Sequence, residues 1–275
     1  MEKLRILCVG DVVGATGRAM FQKHIGYIKK EYAIDFVVVN GENSSERGRG
    51  ISSRIVKFFK HNGANVITSG NHIWQDREIY SYLQQNSDLL KPANFPNDTP
   101  GVGVTTILCK DVLVGVINVQ GRIFMRENLS CPFRTVDTIL TYLHHKTKII
   151  IVDFHAEASS EKIGLGFYLD GRVSAVVGTH THVPTADERI LPGGTAFVTD
   201  LGMVGSQNSM LGMKKDPIIR HLITQMPVKF EVETSNPMIM TGVIVDVDTK
   251  TGSATAIERI KILDDDIHLN SSENA

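Results

Sequence analysis

The sequence has few cysteines, no long hydrophobic segment and no signal-peptide pattern at its start. Its 275 residues contain three cysteines, Cys8, Cys109 and Cys131, and none belongs to a CxxC pair. This sparse set argues against a secreted disulfide framework and favours a reducing compartment. No apolar run approaches the roughly 18 residues that a membrane-spanning helix needs. We therefore predict a cytoplasmic protein that does not bind membranes.

The chain also lacks an excess of charge of either sign. Lys and Arg number 29 against 30 Asp and Glu, which gives a formal net charge of −1. This balance argues against a polybasic protein, so we expect no stable binding of nucleic acid. The chain has ten histidines, and the positions of some of them indicate a function.

Short runs rich in β-branched residues alternate with segments of helical period, which predicts βαβ units with largely parallel, buried strands. The predicted strands are 4–9, 36–39, 66–68, 102–108, 112–119, 149–154, 175–177, 238–247 and 254–262. The predicted helices are 17–32, 51–61, 76–85 with Asp76 near its N-cap, 134–143 and 160–169. The last two strands predict an antiparallel hairpin. We expect an α/β protein with a single domain, a core of about 4–262 and a frayed tail at 270–275.

Polar residues suited to metal binding follow five of the predicted strands. In chain order they are Asp11, Glu42 with Asn43, Asn71 with His72, His155, and His180 with His182. Each alone has an ordinary explanation as a cap, a turn residue or a packed histidine. Ligands in open α/β sheets bind at the carboxyl ends of the strands, so together these residues favour one shared site. Nitrogen and oxygen ligands without a thiolate suit iron, manganese or zinc.

The number of candidate ligands favours two metal ions. In an extended segment, His180 and His182 would point to the same side about 6.5 Å apart, one for each of two ions. Glu42 can bridge such ions. The resulting site is electropositive and would attract a phosphate ester, which a metal-bridging hydroxide would attack. In an extended chain His72 would point away from Asn71, which leaves it free to donate a proton to the leaving group.

The motifs resemble those of the calcineurin-like metallophosphoesterases. The resemblance rests on Gly10-Asp11, Gly70-Asn71-His72, His155 and the sequence GTHTH at 178–182. The chain lacks the His of the common GDxH motif and has Gly41-Glu42-Asn43 where GDxxD is common. Both differences are similar to the bacterial YmdB-like branch, described as 2′,3′-cyclic-nucleotide 2′-phosphodiesterases. Segments 118–122, 131–133 and 199–203 are also similar, so the resemblance covers roughly residues 4 to 262.

The resemblance implies a fold, a ligand set and an activity. The fold would be two stacked mixed β-sheets flanked by helices, in four layers α/β/β/α. One metal would be held by Asp11, Glu42, Asn43 and His182, and the other by Glu42, Asn71, His155 and His180. His72 would be the proton donor, iron the metal (with manganese possible from the ligand types), and a cyclic nucleotide or another small phosphoester the substrate. Homo-oligomers are usual in the family.

Several alternatives stay open at this point. Similar ligands serve binuclear hydrolases of amides or carboxylic esters, and a metal-binding regulatory protein with little turnover would also need them. Phe124 could stack on a substrate base or simply pack. Four arginines could contact a substrate phosphate or be solvated: Arg47, Arg49, Arg122 and Arg126.

Overall fold

A computed structural model describes residues 3–269. The strands are β1 (Lys3–Val9), β2 (Asp11–Val12), β3 (Phe36–Asn40), β4 (Val66–Thr68), β5 (Val104–Cys109), β6 (Val112–Gln120), β7 (Ile149–His155), β8 (Ala175–Thr179), β9 (Arg189–Ile190), β10 (Ala196–Val198), β11 (Met203–Ser206), β12 (Met238–Asp248) and β13 (Ala254–Asp264). The helices are α1 (Gly14–Glu31), α2 (Ser53–His61), α3 (Ile79–Gln85), α4 (Pro132–Leu143), α5 (Ser159–Tyr168) and α6 (Lys215–Thr224). The predicted frayed tail at 270–275 lies outside the described residues.

The strands form two mixed sheets. The first has the order β2-β11-β12-β1-β3-β4, with β13 paired to β12, and the second has the order β5-β6-β7-β8-β10-β9. Strands β1, β3 and β4 run parallel in the first sheet, as β6, β7 and β8 do in the second. The late hairpin joins the first sheet because β12 pairs antiparallel with β1. Parallel strands therefore form the centre of the second sheet and one side of the first, where β4 is the edge strand.

Successive side chains of β1 face two different cores of the fold. Ile6 and Cys8 pack into a core shared with Val116 and Ile151 of the second sheet, so the two sheets are stacked. Leu7 points to the opposite face and packs in a second core with buried residues of α1, α2 and α3. A third core lies between the second sheet and helices α4 and α5. Because successive strand residues face opposite sides, apolar runs cover both faces at once. The expected four-layer fold is confirmed.

The sequence misplaced two helix starts by three residues and missed several elements. Helix α1 begins at Gly14 and not at residue 17. Helix α3 begins at Ile79, so the predicted N-cap role of Asp76 is wrong, and residues 71–78 form turns and bends. Helix α6 was missed because none of its residues is buried, so it has no apolar face pattern against a core. Strands β9, β10 and β11 were missed because they contain only two to four residues each. Among residues 3–269, no helix has both the length and the apolar character needed to cross a membrane.

Candidate metal centre

The predicted ligands come together where strands of the two sheets end. Asp11 is the first residue of β2, just after β1, and the amide of Asn43, which follows β3, comes within 3.5 Å of its carboxylate. His155 is the last residue of β7, and His180 follows β8 in the second sheet. Gly70 permits this approach, because a Cβ atom there would collide with the His155 ring. The site thus lies between the two sheets.

One group of ligand atoms surrounds the Nε2 atom of His155. This nitrogen lies 3.0 Å from Glu42 Oε1, 3.0 Å from His180 Nδ1 and 3.1 Å from Asn71 Oδ1. Glu42 and His155 are fully buried, and His180 keeps 23% of its side-chain surface exposed. Glu42, His155 and His180 each direct one ligand atom into a region where all these atoms lie within 4.8 Å of one another.

The ionised form of Asp153 directs the proton of the His155 ring to Nδ1. Thr179 Oγ1 lies 2.7 Å from Asp153 Oδ1 and donates its only hydrogen to that carboxylate while it is ionised. Thr179 Oγ1 must therefore accept from His155 Nδ1, 3.0 Å away. Burial lowers the pKa of His155 to about 4, so the ring is neutral at pH 7 and its Nε2 carries a lone pair. Burial also raises the pKa of Asp153 to about 7.

The other two histidines are oriented in the same way. His180 Nε2 lies 3.2 Å from Glu157 Oε2, and the tautomer with its proton on Nε2 leaves Nδ1 unprotonated. His182 Nδ1 donates to the carbonyl oxygen of Leu211 at 2.9 Å, which leaves Nε2 unprotonated. Burial, followed by the neighbouring His155, lowers the pKa of His180 to about 3. Each imidazole therefore presents a lone pair to the site, as metal-bound histidines do.

A second group of atoms surrounds the side-chain amide of Asn43. Its Nδ2 atom lies 3.1 Å from His182 Nε2, 3.3 Å from Glu42 Oε1 and 3.5 Å from Asp11 Oδ1. Glu42 Oε1 therefore belongs to both groups. In this orientation Asn43 donates hydrogen bonds. To bind a cation it would have to rotate its amide and present the oxygen, and the two orientations differ only in which atom is assigned as nitrogen.

These residues fit a cation. Around His155, four atoms that accept hydrogen bonds face one another: its own Nε2, His180 Nδ1, Glu42 Oε1 and Asn71 Oδ1. In the tautomers with the ring protons on the far side, no hydrogen bridges the two nitrogens. Such an arrangement is repulsive unless a positive charge lies among the lone pairs. Burial and the nearby Glu42 carboxylate also raise the pKa of Asp11, and a cation bound beside Asp11 would lower that pKa again.

His72 lies beside this centre on the turn after Asn71. Its backbone N–H donates to Glu42 Oε2 at 3.1 Å. Its ring Nδ1 atom is buried and has no hydrogen-bond partner within residues 3–269. Burial lowers the pKa of His72, the Glu42 carboxylate opposes this effect and the Arg49 charge adds to it. A buried ring nitrogen without a partner is unusual and suggests a partner brought by a ligand.

Two of the local arguments from sequence were wrong. His180 and His182 have φ angles of 102° and 63°, so they do not lie in an extended segment. They reach separate groups of atoms because the chain turns between them. His72 is likewise in a turn, closed by a hydrogen bond from Ile73 N to Gly70 O, and its direction does not come from strand alternation.

Sequence reasoning missed the residues that orient the histidines. Thr179, Asp153 and Glu157 are not ligands themselves, and their roles depend on contacts between β7 and β8. Their only signal is adjacency, since Asp153 and Glu157 lie two residues either side of His155. The six remaining histidines make no contact with the site. Of these, His24 pairs with Asp264, and His144 contacts the Arg172 carbonyl.

Comparisons with known proteins identify related sequences and structures. A sequence model described as "YmdB-like protein" matches residues 7–260. The chain is 45% identical over 262 residues to the 2′,3′-cyclic-nucleotide 2′-phosphodiesterase of Bacillus subtilis, covering 95% of this chain and 98% of that protein. The crystal structure of a novel phosphatase from Mycoplasma pneumoniae superimposes with a TM-score of 0.90 at 33% identity, covering 97% of this chain and 95% of that one. A Thermus thermophilus structure gives 0.87 at 34% identity over 95% of this chain and all of the other.

The similarity is long enough to settle the family and the class of protein. It extends over nearly the whole of each relative, so the strands and loops of the site are included. The expectation of an enzyme of the phosphodiesterase type is confirmed. The chain belongs to the YmdB-like protein family.

Proposed function

We propose that this protein is a binuclear metal-dependent phosphodiesterase that hydrolyses 2′,3′-cyclic nucleotides. One ion would be held by Asp11, Glu42, Asn43 and His182, and the other by Glu42, Asn71, His155 and His180. The observation that carries the proposal is the cluster of nitrogen and oxygen ligand atoms around His155 Nε2, next to a second group that shares Glu42 Oε1. The substrate follows from the activity of the Bacillus subtilis relative.

The metal ions would neutralise the phosphoryl oxygens and make water a stronger nucleophile at neutral pH. Iron is our proposed metal, with manganese as the replacement that the nitrogen and oxygen donors also suit. The chain's own contribution is a rigid frame. Glu42 is fully buried and engaged by neighbours on both carboxylate oxygens, so the spacing of the two ion positions is set before substrate binds.

His72 is our proposed proton donor to the leaving alkoxide. Its backbone is fixed to Glu42, and its buried Nδ1 has no protein partner within residues 3–269. The burial that lowers its pKa also makes the protonated ring a stronger acid. An anionic substrate phosphate nearby would raise the protonated fraction of His72, so the His72 ring would take up its proton as the substrate binds.

Arg49 is our proposed contact for the substrate anion among the four arginines. It lies on the loop after Asn43, and its guanidinium stacks on the Phe230 ring with 5.3 Å to the centroid. Within residues 3–269 it forms no ion pair with a carboxylate. The next residue, Gly50, lies close to Gln75, since a Cβ atom on Gly50 would be 3.0 Å from Gln75 Cβ. The backbone N–H of Gln75 donates a hydrogen bond to the His72 carbonyl. This loop therefore abuts the turn that carries His72.

The test combines metal analysis with a substrate screen. Protein purified without oxygen should contain two metal ions per chain and hydrolyse 2′,3′-cyclic nucleotides, with weaker or no action on amides and carboxylic esters. Glu42→Gln should lose metal from both positions and lose activity. Fewer than two ions per chain in active protein would contradict the binuclear site. A preference for amide or ester substrates would contradict the proposed reaction.

A further inference from the structure

A buried ion pair lies directly behind the loop that carries His180 and His182. Lys162 of α5 places its Nζ atom 2.6 Å from Asp200 Oδ2, and each side chain has 1% of its surface exposed. Burying two charges has a desolvation cost that their attraction barely offsets. Stability alone is therefore a weak reason for this pair, and its other contacts become informative.

Asp200 forms hydrogen bonds with both ends of the 181–185 loop. Its Oδ2 atom accepts a hydrogen bond of 3.2 Å from the backbone N–H of Thr181, the residue between the two histidines. Its backbone N–H donates to Thr185 Oγ1 at 2.9 Å, and Thr185 N donates to the Asp200 carbonyl at 3.1 Å. The histidine loop is thus held against one residue of another segment.

The same carboxylate also connects this loop to the first sheet. Asp200 Oδ1 accepts a 2.8 Å hydrogen bond from Gly202 N. The Gly202 carbonyl accepts a 3.0 Å hydrogen bond from the backbone N–H of Asp11. Through these two contacts, Asp200 links the His180–His182 loop, which follows the second sheet, to the Asp11 backbone at the end of the first.

The loop conformation needs support of this kind. His180 and His182 have φ angles of 102° and 63°, a region that residues with a Cβ atom rarely adopt. Gly178 makes room for the Lys162–Asp200 ion pair. A Cβ atom at this position would collide with the Thr199 carbonyl and would lie 2.9 Å from the Lys162 Cδ atom. Absence of a side chain at 178 lets the lysine stem pass close to β8.

We infer that Asp200, neutralised by Lys162, is a positioning residue for the metal centre. Its hydrogen bonds to Thr181 and Gly202 hold the two histidines and Asp11 at the separation that metal binding needs. Neither Asp200 nor Lys162 touches the ligand atoms of the site. The inference rests on the proposed metal-dependent function, and it adds a link between the two sheets to that function.

Paired substitutions separate this positioning role from simple charge burial. Lys162→Met combined with Asp200→Ala removes both charges and both hydrogen-bond acceptors. Lys162→Met with Asp200→Asn removes the charges but keeps one acceptor oxygen. With Mn²⁺ alone as the probe, calorimetry should give a Kd raised about 10–100-fold for the Ala variant, the range for residues that orient metal ligands. The Asn variant should show a smaller but measurable rise.

A second ion pair provides the control for stability. Asp246 binds Arg5 Nε at 2.7 Å near the other end of β1, so Asp246→Ala should lower the melting temperature and leave the Mn²⁺ Kd unchanged. A wild-type Kd in the paired variants would overturn the inference. If the Ala variant does not fold, a wild-type Kd in the Asn variant has the same meaning. If the wild-type protein itself binds no Mn²⁺ or Fe²⁺, the proposed function fails instead.

Discussion

The Nε2 atom of His155 and the Nδ1 atom of His180 lie 3.0 Å apart at the centre of the site. The two rings meet at 74° with centroids 4.7 Å apart. In the tautomers that place each ring proton on the other nitrogen, beside Thr179 or Glu157, the two lone pairs face each other. Two lone pairs this close repel each other unless a cation lies between them. This relationship suits a cation between the two rings, and it leads to the first prediction.

Thr179→Val should weaken metal binding. Valine has nearly the same shape but cannot accept the His155 Nδ1 proton or donate to Asp153. The ring then loses the contact that keeps Nε2 unprotonated, and we expect the Mn²⁺ Kd to rise about tenfold or more. Thr179→Ser keeps the hydroxyl and should bind metal almost as the wild type does. Equal Kd values for the valine and serine variants would show that the hydroxyl does not orient His155.

His72→Ala should slow turnover without removing metal. Because the lost group donates a proton, the effect should depend on the leaving group. We expect kcat to fall about 10²–10⁴-fold for a cyclic nucleotide, whose alkoxide needs a proton, and much less for a p-nitrophenyl phosphodiester. Steady-state kinetics on both substrates, with metal content measured on the same samples, test this. An equal loss on both substrates would exclude His72 as the proton donor.

Arg49→Met should weaken substrate binding while the neighbouring Arg47→Met should not. Both side chains are exposed and lie on the same loop, but only Arg49 stacks on Phe230. Loss of a charge-assisted contact to phosphate corresponds to about 1.5–3 kcal/mol, or roughly a 10–100-fold change. We expect this change in KM and in the inhibition constant of inorganic phosphate, with metal content unchanged. Similar effects of the two substitutions would point to general charge attraction.

Asp264→Asn should reduce stability at neutral pH but not at low pH. Burial raises the pKa of Asp264, but hydrogen bonds from Lys23, the Asp266 backbone and His24 outweigh this and lower it to about 2. A lowered carboxyl pKa gives stability that is present above the unfolded pKa of about 3.9 and is lost as pH falls toward 2.

We expect a difference of about 1 kcal/mol at pH 7, since Lys23 keeps 46% of its side-chain surface in solvent and the pair is screened. Urea unfolding at several pH values measures it. Asp265→Asn, at the exposed adjacent residue, is the matched control and should change stability little at any pH. A pH-independent difference between Asp264→Asn and the wild type would mean that the loss comes from packing and not from ionisation.

The sequence predicted most of the strands because they are buried on both faces. The run from Ile149 to Phe154 is apolar except for Asp153, and the structure extends that strand by one residue to His155. The end of β4 was predicted correctly, and so was the late antiparallel hairpin, which β12 and β13 form. Helix α6 gave no such signal, since a helix without a buried face does not need apolar periodicity.

The sequence by itself determined which residues are available as ligands and that they follow strand ends. Residue type and position after a buried strand are local properties, and so is the GTHTH motif at 178–182. Only the tertiary structure decided how these residues are arranged, because that depends on contacts between segments far apart in the chain. Stacking of the two sheets brings Glu42 to His155, Thr179 fixes the imidazole proton, and Asp200 holds a loop whose backbone is not extended.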